Sequence, residues 1–274
     1  MGKIGGRYLL AVDLEGIHGI FGDPYEGLNG SADYKKAVPN AVKEINTVVA
    51  ALFDSGAELV AVWDNHGANE NIDFSDLDPR VTEINARNDT WRFDFAENYA
   101  FDRVIFLGYH AMEGNPRGIL AHTYSSVCIQ YVKLDGVYMS EFNVDSLICA
   151  DYGIAPVLVA SDDVCLEEMK AVAPEVLTVM TKRALGRNRG TEIPEEEVLR
   201  DLCERTVAAA GRAEFSPIEK MPSPAHLEIR YTRAERAAER IEFARGLGIP
   251  AEYGADSHVL HFEITKANQI PKLT

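Results

Sequence analysis

Short apolar runs alternate with longer segments in which apolar residues recur at helical spacing. Four runs have the length of buried strands, namely "YLLAVD", "ELVAVWD", "RVIFLGYH" and "PVLVASDD". Between the first two runs one helical face is apolar, formed by Val38, Val42, Ile45, Val49 and Leu52. Gly56 then supplies a helix end. This order predicts an α/β fold with a mostly parallel sheet between two layers of helices.

A proline-rich joint, "SPIEKMPSPA", separates the last part of the chain. Before it, "SDDVCLEEMKAVA" and "IPEEEVLRDLCERTVAAAG" carry helix start signals. After it come a strand, "HLEIRY", a helix, "TRAERAAERIEFARGLG", and a strand, "HVLHFEI". We predict a main α/β domain over residues 1–215 and a small C-terminal βαβ part over residues 216–274, with one continuous domain as the alternative.

Side chains that can bind metals follow three of the four apolar runs. Asp13 and Glu15 in "DLEG" follow the first run, Asp64 and His66 in "WDNHG" follow the second, and His110 in "GYHA" follows the third. Asp13 and Glu15 are two residues apart, so on an extended chain both point to the same side. Because the carboxyl ends of parallel strands meet at one edge of a sheet, we predict a metal site at that edge.

Two further candidates come later in the main domain. His122 in "AHTYS" follows a turn, and Glu141 in "SEFN" precedes a helical segment. Three histidines and four carboxylates suit one or two zinc or related divalent ions. Two metals would need a bridging carboxylate, and Asp13 at a strand end is the natural choice. Each residue alone could be structural, so the prediction depends on their convergence.

Other polar residues in the sequence favour structural roles. His110 and Glu113 have H-x-x-E spacing, but "EGNPRG" follows at once and places Glu113 on a turn. We predict that four further histidines do not bind metal, namely His18, His226, His258 and His261. The sequence contains no H-E-x-x-H, G-x-S-x-G, P-loop or G-x-G-x-x-G motif, which disfavours the enzyme classes that these motifs mark.

The composition and charge of the sequence disfavour some classes of binding partner. The 274 residues include 27 Lys and Arg against 43 Asp and Glu, so the net charge of -16 disfavours nucleic acid and anionic membranes as partners. No apolar run has the length of a membrane span, and no signal-peptide pattern opens the sequence. The four cysteines are widely spaced, which favours reduced thiols in the cytoplasm: Cys128, Cys149, Cys165 and Cys203.

The ordered motifs "DLEG", "DNH", "GYHA", "AHTYS" and "SEFN" resemble those of the D-aminopeptidase family, the DppA-type or M55 dinuclear zinc peptidases, across residues 8–165. The resemblance implies that Asp13 bridges two zinc ions and that His122 is catalytic. It implies that the other metal ligands are Glu15, His66, His110 and Glu141. It also implies a homo-oligomer, with a decameric ring as the expected form.

The sequence departs from the common family pattern near Glu141. Ser140 stands where glycine is usual, and Asn143 and Asp145 replace glycine and asparagine. The proposed ligands are unaffected by these changes. They leave the substrate preference open.

These observations predict a cytoplasmic metallo-aminopeptidase that removes the N-terminal residue of short peptides or aminoacyl amides through a metal-bound hydroxide. The preference for D-residues comes from the resemblance alone. Three alternatives stay open. They are a metal-dependent amidohydrolase for a modified or non-peptide amide, a non-catalytic metal-binding oligomer, and an α/β small-molecule binder without metal.

Overall fold

The computed structural model describes residues 5–23, 27–86 and 91–274. The strands are β1 (Arg7–Val12), β2 (Leu59–Asp64), β3 (Thr82–Ile84), β4 (Arg103–Leu107), β5 (Ile129–Leu134), β6 (Val137–Tyr138), β7 (Ala155–Asp162), β8 (Leu177–Gly186), β9 (Arg189–Glu192), β10 (Ala225–Tyr231), β11 (Ala251–Tyr253) and β12 (Val259–Ile264). The helices are α1 (Tyr34–Asp54), α2 (Ala96–Tyr99), α3 (Glu141–Asp151), α4 (Asp163–Val172), α5 (Glu195–Gly211), α6 (Ala234–Gly246) and α7 (Gln269–Leu273), with a 3₁₀ turn at Phe74–Asp76. Across the described ranges, no helix combines the length and apolarity that crossing a membrane requires.

The main sheet has seven strands in the order β3-β2-β1-β4-β7-β8-β9. All neighbouring strands are parallel except β8 and β9, which form an antiparallel hairpin. The predicted α/β fold with a mostly parallel sheet is therefore confirmed. In the register of the central strands, Val12 of β1 lies beside Asp64 of β2 and Leu107 of β4. Three of the predicted strands thus end at the same level.

Alternation along β1 places apolar residues on both faces of the main sheet. Leu10 and Val12 join a core with α1 and α5, whereas Leu9 and Ala11 join a core with α3, α4 and the second sheet. Both faces are covered, which explains why the central strands are apolar almost without interruption. The polar site residues that these strands supply consequently lie just after their carboxyl ends.

A second sheet of five strands has the order β11-β12-β10-β5-β6, and all its pairs are antiparallel. Its strands β10 and β12 are those of the predicted C-terminal βαβ part. They run in opposite directions because β11, which follows α6, has the same direction as β10, and the turn after β11 then reverses the chain into β12. The main part of the chain contributes β5 and β6 to this sheet. The predicted division at residue 215 stays a prediction.

Candidate metal centre

Backbone hydrogen bonds extend the central strands by one residue at their carboxyl ends. The N–H of Asp13 donates to the carbonyl of Leu107 at 2.8 Å, and the N–H of Asn65 donates to the carbonyl of Val12 at 2.7 Å. The side chains that follow β1, β2 and β4 therefore leave the sheet from neighbouring positions, as the sequence predicted.

Two glycines let these strand ends approach each other closely. The N–H of Gly16 donates to the carbonyl of Gly108 at 2.6 Å, and a Cβ on Gly16 would lie 2.1 Å from the carbonyl oxygen of Tyr109. Gly108 has φ +72°, and its Cβ would lie 2.0 Å from the carbonyl oxygen of Asp13. Any side chain at either position would push the loop after β1 away from the end of β4.

The structure brings all six predicted site residues together. The Asp13 carboxylate lies between two histidines, with His66 Nδ1 at 3.0 Å from Oδ1 and His110 Nε2 at 3.5 Å from Oδ2. Glu15 Oε2 lies 3.1 Å from the same His66 nitrogen. On the other side, Glu141 Oε1 lies 3.3 Å from His110 Nε2. Five of the six form two groups whose ligand atoms lie within 4.8 Å of one another: Asp13, Glu15 and His110, and His110, His122 and Glu141.

Hydrogen bonds set the orientation of the first two histidines. The Nε2–H of His66 donates to Asn29 Oδ1 at 3.1 Å, which leaves Nδ1 facing the carboxylates. The Nδ1–H of His110 donates to the carbonyl of Ala111 at 3.0 Å, which leaves Nε2 facing them. Fixing one ring nitrogen in this way is how proteins orient a histidine for a metal.

His122 lies beside the cluster and is more exposed. Its ring stacks on that of His110 with centroids 3.8 Å apart. The Nδ1–H donates to the carbonyl of Leu120 at 2.7 Å, and Nε2 lies 3.8 Å from Glu141 Oε1. Because the N–H of Tyr124 also donates to Glu141 Oε1, at 2.7 Å, the carboxylate is held in place as well.

Burial and mutual charge shift the acid–base behaviour of the cluster. Burial lowers the pKa of His66, but the charges of Glu15 and Asp13 outweigh it and raise the pKa to about 11. Burial lowers the pKa of His110, but the carboxylate of Glu141 at 3.3 Å outweighs this effect and raises the pKa to about 10. Burial raises the pKa of Glu15, yet His66 holds it well below the usual range. Both histidines are therefore cationic at neutral pH when no metal is bound.

These residues fit a divalent metal. Nε2 of His110 is buried and has no hydrogen-bond partner among residues 5–23, 27–86 and 91–274, although carboxylate oxygens surround it. A buried unpaired polar atom is costly, and a metal would satisfy it. Imidazole nitrogen and carboxylate oxygen together match the ligands that zinc takes.

Metal binding is expected to release protons, because histidine binds metal in its neutral form. With pKa values of about 11 for His66 and about 10 for His110, each ring carries a proton at pH 7 in the metal-free protein. Zinc affinity should therefore rise with pH, by about tenfold per pH unit for each proton displaced. Calorimetry of zinc binding at pH 7 in buffers of different ionisation enthalpy should detect this release of protons. No proton release at pH 7 would contradict this expectation.

Two residues near the motifs have other roles. Asp64, considered as a ligand from its place at a strand end, points away from the cluster and accepts hydrogen bonds from the N–H groups of Asn71 and Ile72 at 2.6 and 3.0 Å. It shapes the loop that follows His66. His18, predicted to lie in a loop and not to bind metal, is bonded to Glu44 at 2.8 Å.

A buried lysine that the sequence analysis missed holds the loop after β1. Lys182 of β8 donates through Nζ to the carbonyls of Glu15, at 2.5 Å, and Ile17, at 3.0 Å, and also to that of Ile20. Burial lowers its pKa to about 8. The sequence gives little signal, because Lys182 stands between Thr181 and Arg183 and no local pattern marks it as buried. Lys182 thus fixes the backbone that carries Glu15.

Replacing Lys182 with methionine is expected to destabilise the protein. Three buried carbonyls would lose their donor, and at about 1 kcal/mol each the free energy of unfolding should fall by about 3 kcal/mol. Urea unfolding of the metal-free protein measures the change. The neighbouring exposed Arg183→Met is the control and should change stability by less than about 0.5 kcal/mol. Equal stabilities of the two variants would contradict the role of Lys182.

A second missed feature involves Asp145, one of the departures from the family pattern. Its carboxylate accepts two hydrogen bonds from Arg92, at 2.6 and 2.7 Å, and one from the hydroxyl of Tyr109 at 2.6 Å. The amide of Asn65 donates to the same hydroxyl at 2.8 Å. Asp145 therefore holds Arg92 in the wall beside the metal centre.

The cluster lies in an open cavity of about 650 Å³, within the usual size of small-ligand sites. Its floor contains Asp13, Glu15, His66, His122 and Glu141. Further described residues that form the walls include Trp63, Arg92, Tyr124, Leu120, Arg187 and Lys272. A short peptide could therefore reach the cluster from solvent.

Comparisons with known proteins identify the family of this chain. The model of the peptidase M55 family, described as D-aminopeptidase, matches residues 7–252. A D-aminopeptidase of Bacillus subtilis (strain 168) is 26% identical over 205 residues, which are 74% of this chain and 73% of that protein. The solved structure of the Zn-dependent D-aminopeptidase DppA from Bacillus subtilis, described as a self-compartmentalizing protease, superposes with a TM-score of 0.84 at 23% identity, covering 97% of this chain and 94% of that one. Because the family model covers most of the sequence, the chain belongs to the M55 D-aminopeptidase family.

Proposed function

We propose that this protein is a metal-dependent aminopeptidase that removes the N-terminal residue of short peptides, with a preference for D-residues. One observation carries the proposal. Six side chains lie at the floor of one open cavity or next to it, and a ring nitrogen of each of the three histidines faces their carboxylates. Membership of the D-aminopeptidase family supports the reaction and the preference for D-residues.

We propose that the centre holds two zinc ions, with Asp13 between them. The other ligands would be Glu15, His66, His110 and Glu141. When bound, the ions would activate water and polarise the scissile carbonyl. The zinc dependence in the description of the solved relative supports the choice of metal.

His122 would manage the proton of the leaving group. Its Nδ1–H is engaged by the carbonyl of Leu120, so Nε2 is the atom that faces the cavity. A protonated ring can donate from Nε2 to the amine that leaves when the peptide bond breaks.

We also propose an oligomeric state and a cellular location for the protein. The self-compartmentalizing description of the solved relative supports a homo-oligomer, and a decameric ring is the form that the resemblance of the sequence implies. The location that we propose is the cytoplasm, where thiols stay reduced. In the structure all four cysteines are free.

Metal analysis combined with a substrate panel tests the function. The protein should contain about two zinc ions per chain and should cleave D-aminoacyl dipeptides faster than their L-isomers. Removing zinc with a chelator should abolish cleavage, and adding zinc should restore it. Metal binding without cleavage of any amide would instead indicate a non-catalytic protein. Cleavage of L-aminoacyl substrates alone would contradict the proposed preference for D-residues.

Hydrolysis of a modified amide is a second candidate. Arg92 is held in the cavity wall by Asp145. The family pattern has asparagine in place of Asp145. This change in the wall could suit a substrate other than an unmodified peptide. Cleavage of non-peptide amides with none of dipeptides would favour this candidate.

A further inference from the structure

The charged residues of the cavity are unevenly distributed. The described lining contains three acidic residues, Asp13, Glu15 and Glu141, and all of them belong to the metal centre. The other charged lining residues are basic: Arg92, Arg187 and Lys272. The chain as a whole has 43 acidic and 27 basic residues, so a wall whose charged side chains are all basic departs from its general composition. Such a wall favours a substrate with a negative charge away from the metals.

Arg92 already has a partner for its charge. Its Nε and Nη2 donate to both oxygens of Asp145. Its guanidinium also lies over the rings of Trp63, at 4.8 Å, and Tyr124, at 5.3 Å. Arg92 is therefore a fixed, charge-balanced part of the wall.

Arg187 is exposed, and no residue in the described ranges forms a hydrogen bond or an ion pair with its side chain. It occupies the turn between β8 and β9. The next residue, Asn188, anchors this turn, because its Oδ1 accepts the N–H of Leu120 at 2.7 Å and its Nδ2 donates to the carbonyl of Asp23 at 2.7 Å. The guanidinium is thus an available cation on a fixed turn.

The anchor also ties this turn to His122. Asn188 binds the N–H of Leu120, and the carbonyl of the same Leu120 accepts the Nδ1–H of His122 at 2.7 Å. Arg187 and His122 line the same cavity, and Leu120 connects the two segments that carry them. In the proposed function, this is the side of the cavity at which the leaving amine departs.

We propose that Arg187 binds the free carboxylate of the leaving residue, so that the preferred substrates are dipeptides and not aminoacyl amides. This inference rests on the proposed function. In a dipeptide, a single carbon separates the leaving amine from the carboxylate, so a cation that lines the same cavity as His122 is the group expected to meet that carboxylate. A guanidinium offers paired N–H donors that match the two oxygens. Arg187 is then a binding residue that determines specificity.

Paired substrates test this role. A D-aminoacyl-glycine and its C-terminal amide differ only in the carboxylate, so the ratio of their kcat/KM values reports on its recognition. In the zinc-loaded wild type the acid should be preferred by about tenfold or more, as expected for a charged hydrogen bond. Arg187→Gln should lower this ratio by about ten- to a hundredfold, and Arg187→Lys should restore part of it. Arg189→Gln, an exposed arginine of the same hairpin outside the cavity lining, should leave the ratio unchanged.

A binding measurement separates this inference from the proposed function. The probe is the same dipeptide with its amide reduced to CH₂–NH, which cannot be hydrolysed, with and without the carboxylate. Calorimetry should show that Arg187→Gln weakens binding of the acid much more than binding of the amide. Equal loss for both probes, or no loss for the acid, would overturn the role of Arg187. If the wild type cleaves neither substrate, the proposed function fails, and the binding result alone decides the carboxylate site.

Discussion

Replacing Asp13 with alanine is expected to disturb both metal positions and to reduce peptide hydrolysis by about 10³-fold or more, since water without a metal keeps a pKa near 15.7. Asp13 Oδ1 faces His66, and its Oδ2 faces His110. Removal of this carboxylate therefore affects both halves of the centre. Zinc content, measured by mass spectrometry on the folded variant, should fall from about two ions to fewer than one.

Three further variants make this result specific. Asp13→Asn keeps the shape of the side chain but removes its charge, so it separates loss of the ligand from misfolding. Glu15→Ala should mainly empty one position, because its carboxylate contacts His66 and belongs to only one of the two groups. Glu113→Ala removes the acid of the H-x-x-E pair, which lies outside the cluster, and should keep both metals. Unchanged zinc content in both Asp13 variants would refute the bridging role.

Replacing His122 with alanine is expected to retain zinc but to lower kcat by about 10²- to 10⁴-fold, the usual contribution of a general acid. The ring is stacked on His110 but lies at the edge of the cluster, so its loss should leave the other ligand atoms in place. The protonated ring supplies a proton from Nε2 to the leaving amine, and alanine has no group that can donate this proton.

The leaving group distinguishes this role from a structural one. A p-nitrophenyl ester departs without protonation, so the variant should lose much less activity on the ester than on a dipeptide. His122→Ala should also lose the limb of the pH–rate profile that reports a catalytic acid. Equal losses of activity on the ester and the dipeptide would show that His122 is not the general acid for the leaving amine.

The sequence was sufficient to predict the central strands and the residues at their ends. Asp13, His66 and His110 could be grouped without coordinates because parallel strands place their carboxyl ends at one edge, and the register Val12–Asp64–Leu107 shows that arrangement. Asp64 shows the limit of the rule. A strand-terminal carboxylate can equally serve the loop that follows, and only the contacts with Asn71 and Ile72 identify which role it has.

The parts that could not be predicted depend on contacts between distant segments. Strand β5 pairs with β10, almost a hundred residues later, and no local pattern specifies that pairing. Lys182 looks like an ordinary strand lysine until the loop after β1 brings three carbonyls to it. The pair of Asp145 and Arg92 likewise joins positions 53 residues apart. Motifs near strand ends could locate the centre, whereas its supporting contacts needed the fold.

The most direct test of the proposed centre is diffraction from zinc-loaded crystals at wavelengths on both sides of the zinc absorption edge. The proposal predicts two anomalous peaks about 3.5–4 Å apart, with Asp13 between them. The other ligands around the peaks should be Glu15, His66, His110 and Glu141, and His122 should lie beside them without binding. A single peak, no peak, or peaks held by other residues would contradict the dinuclear centre.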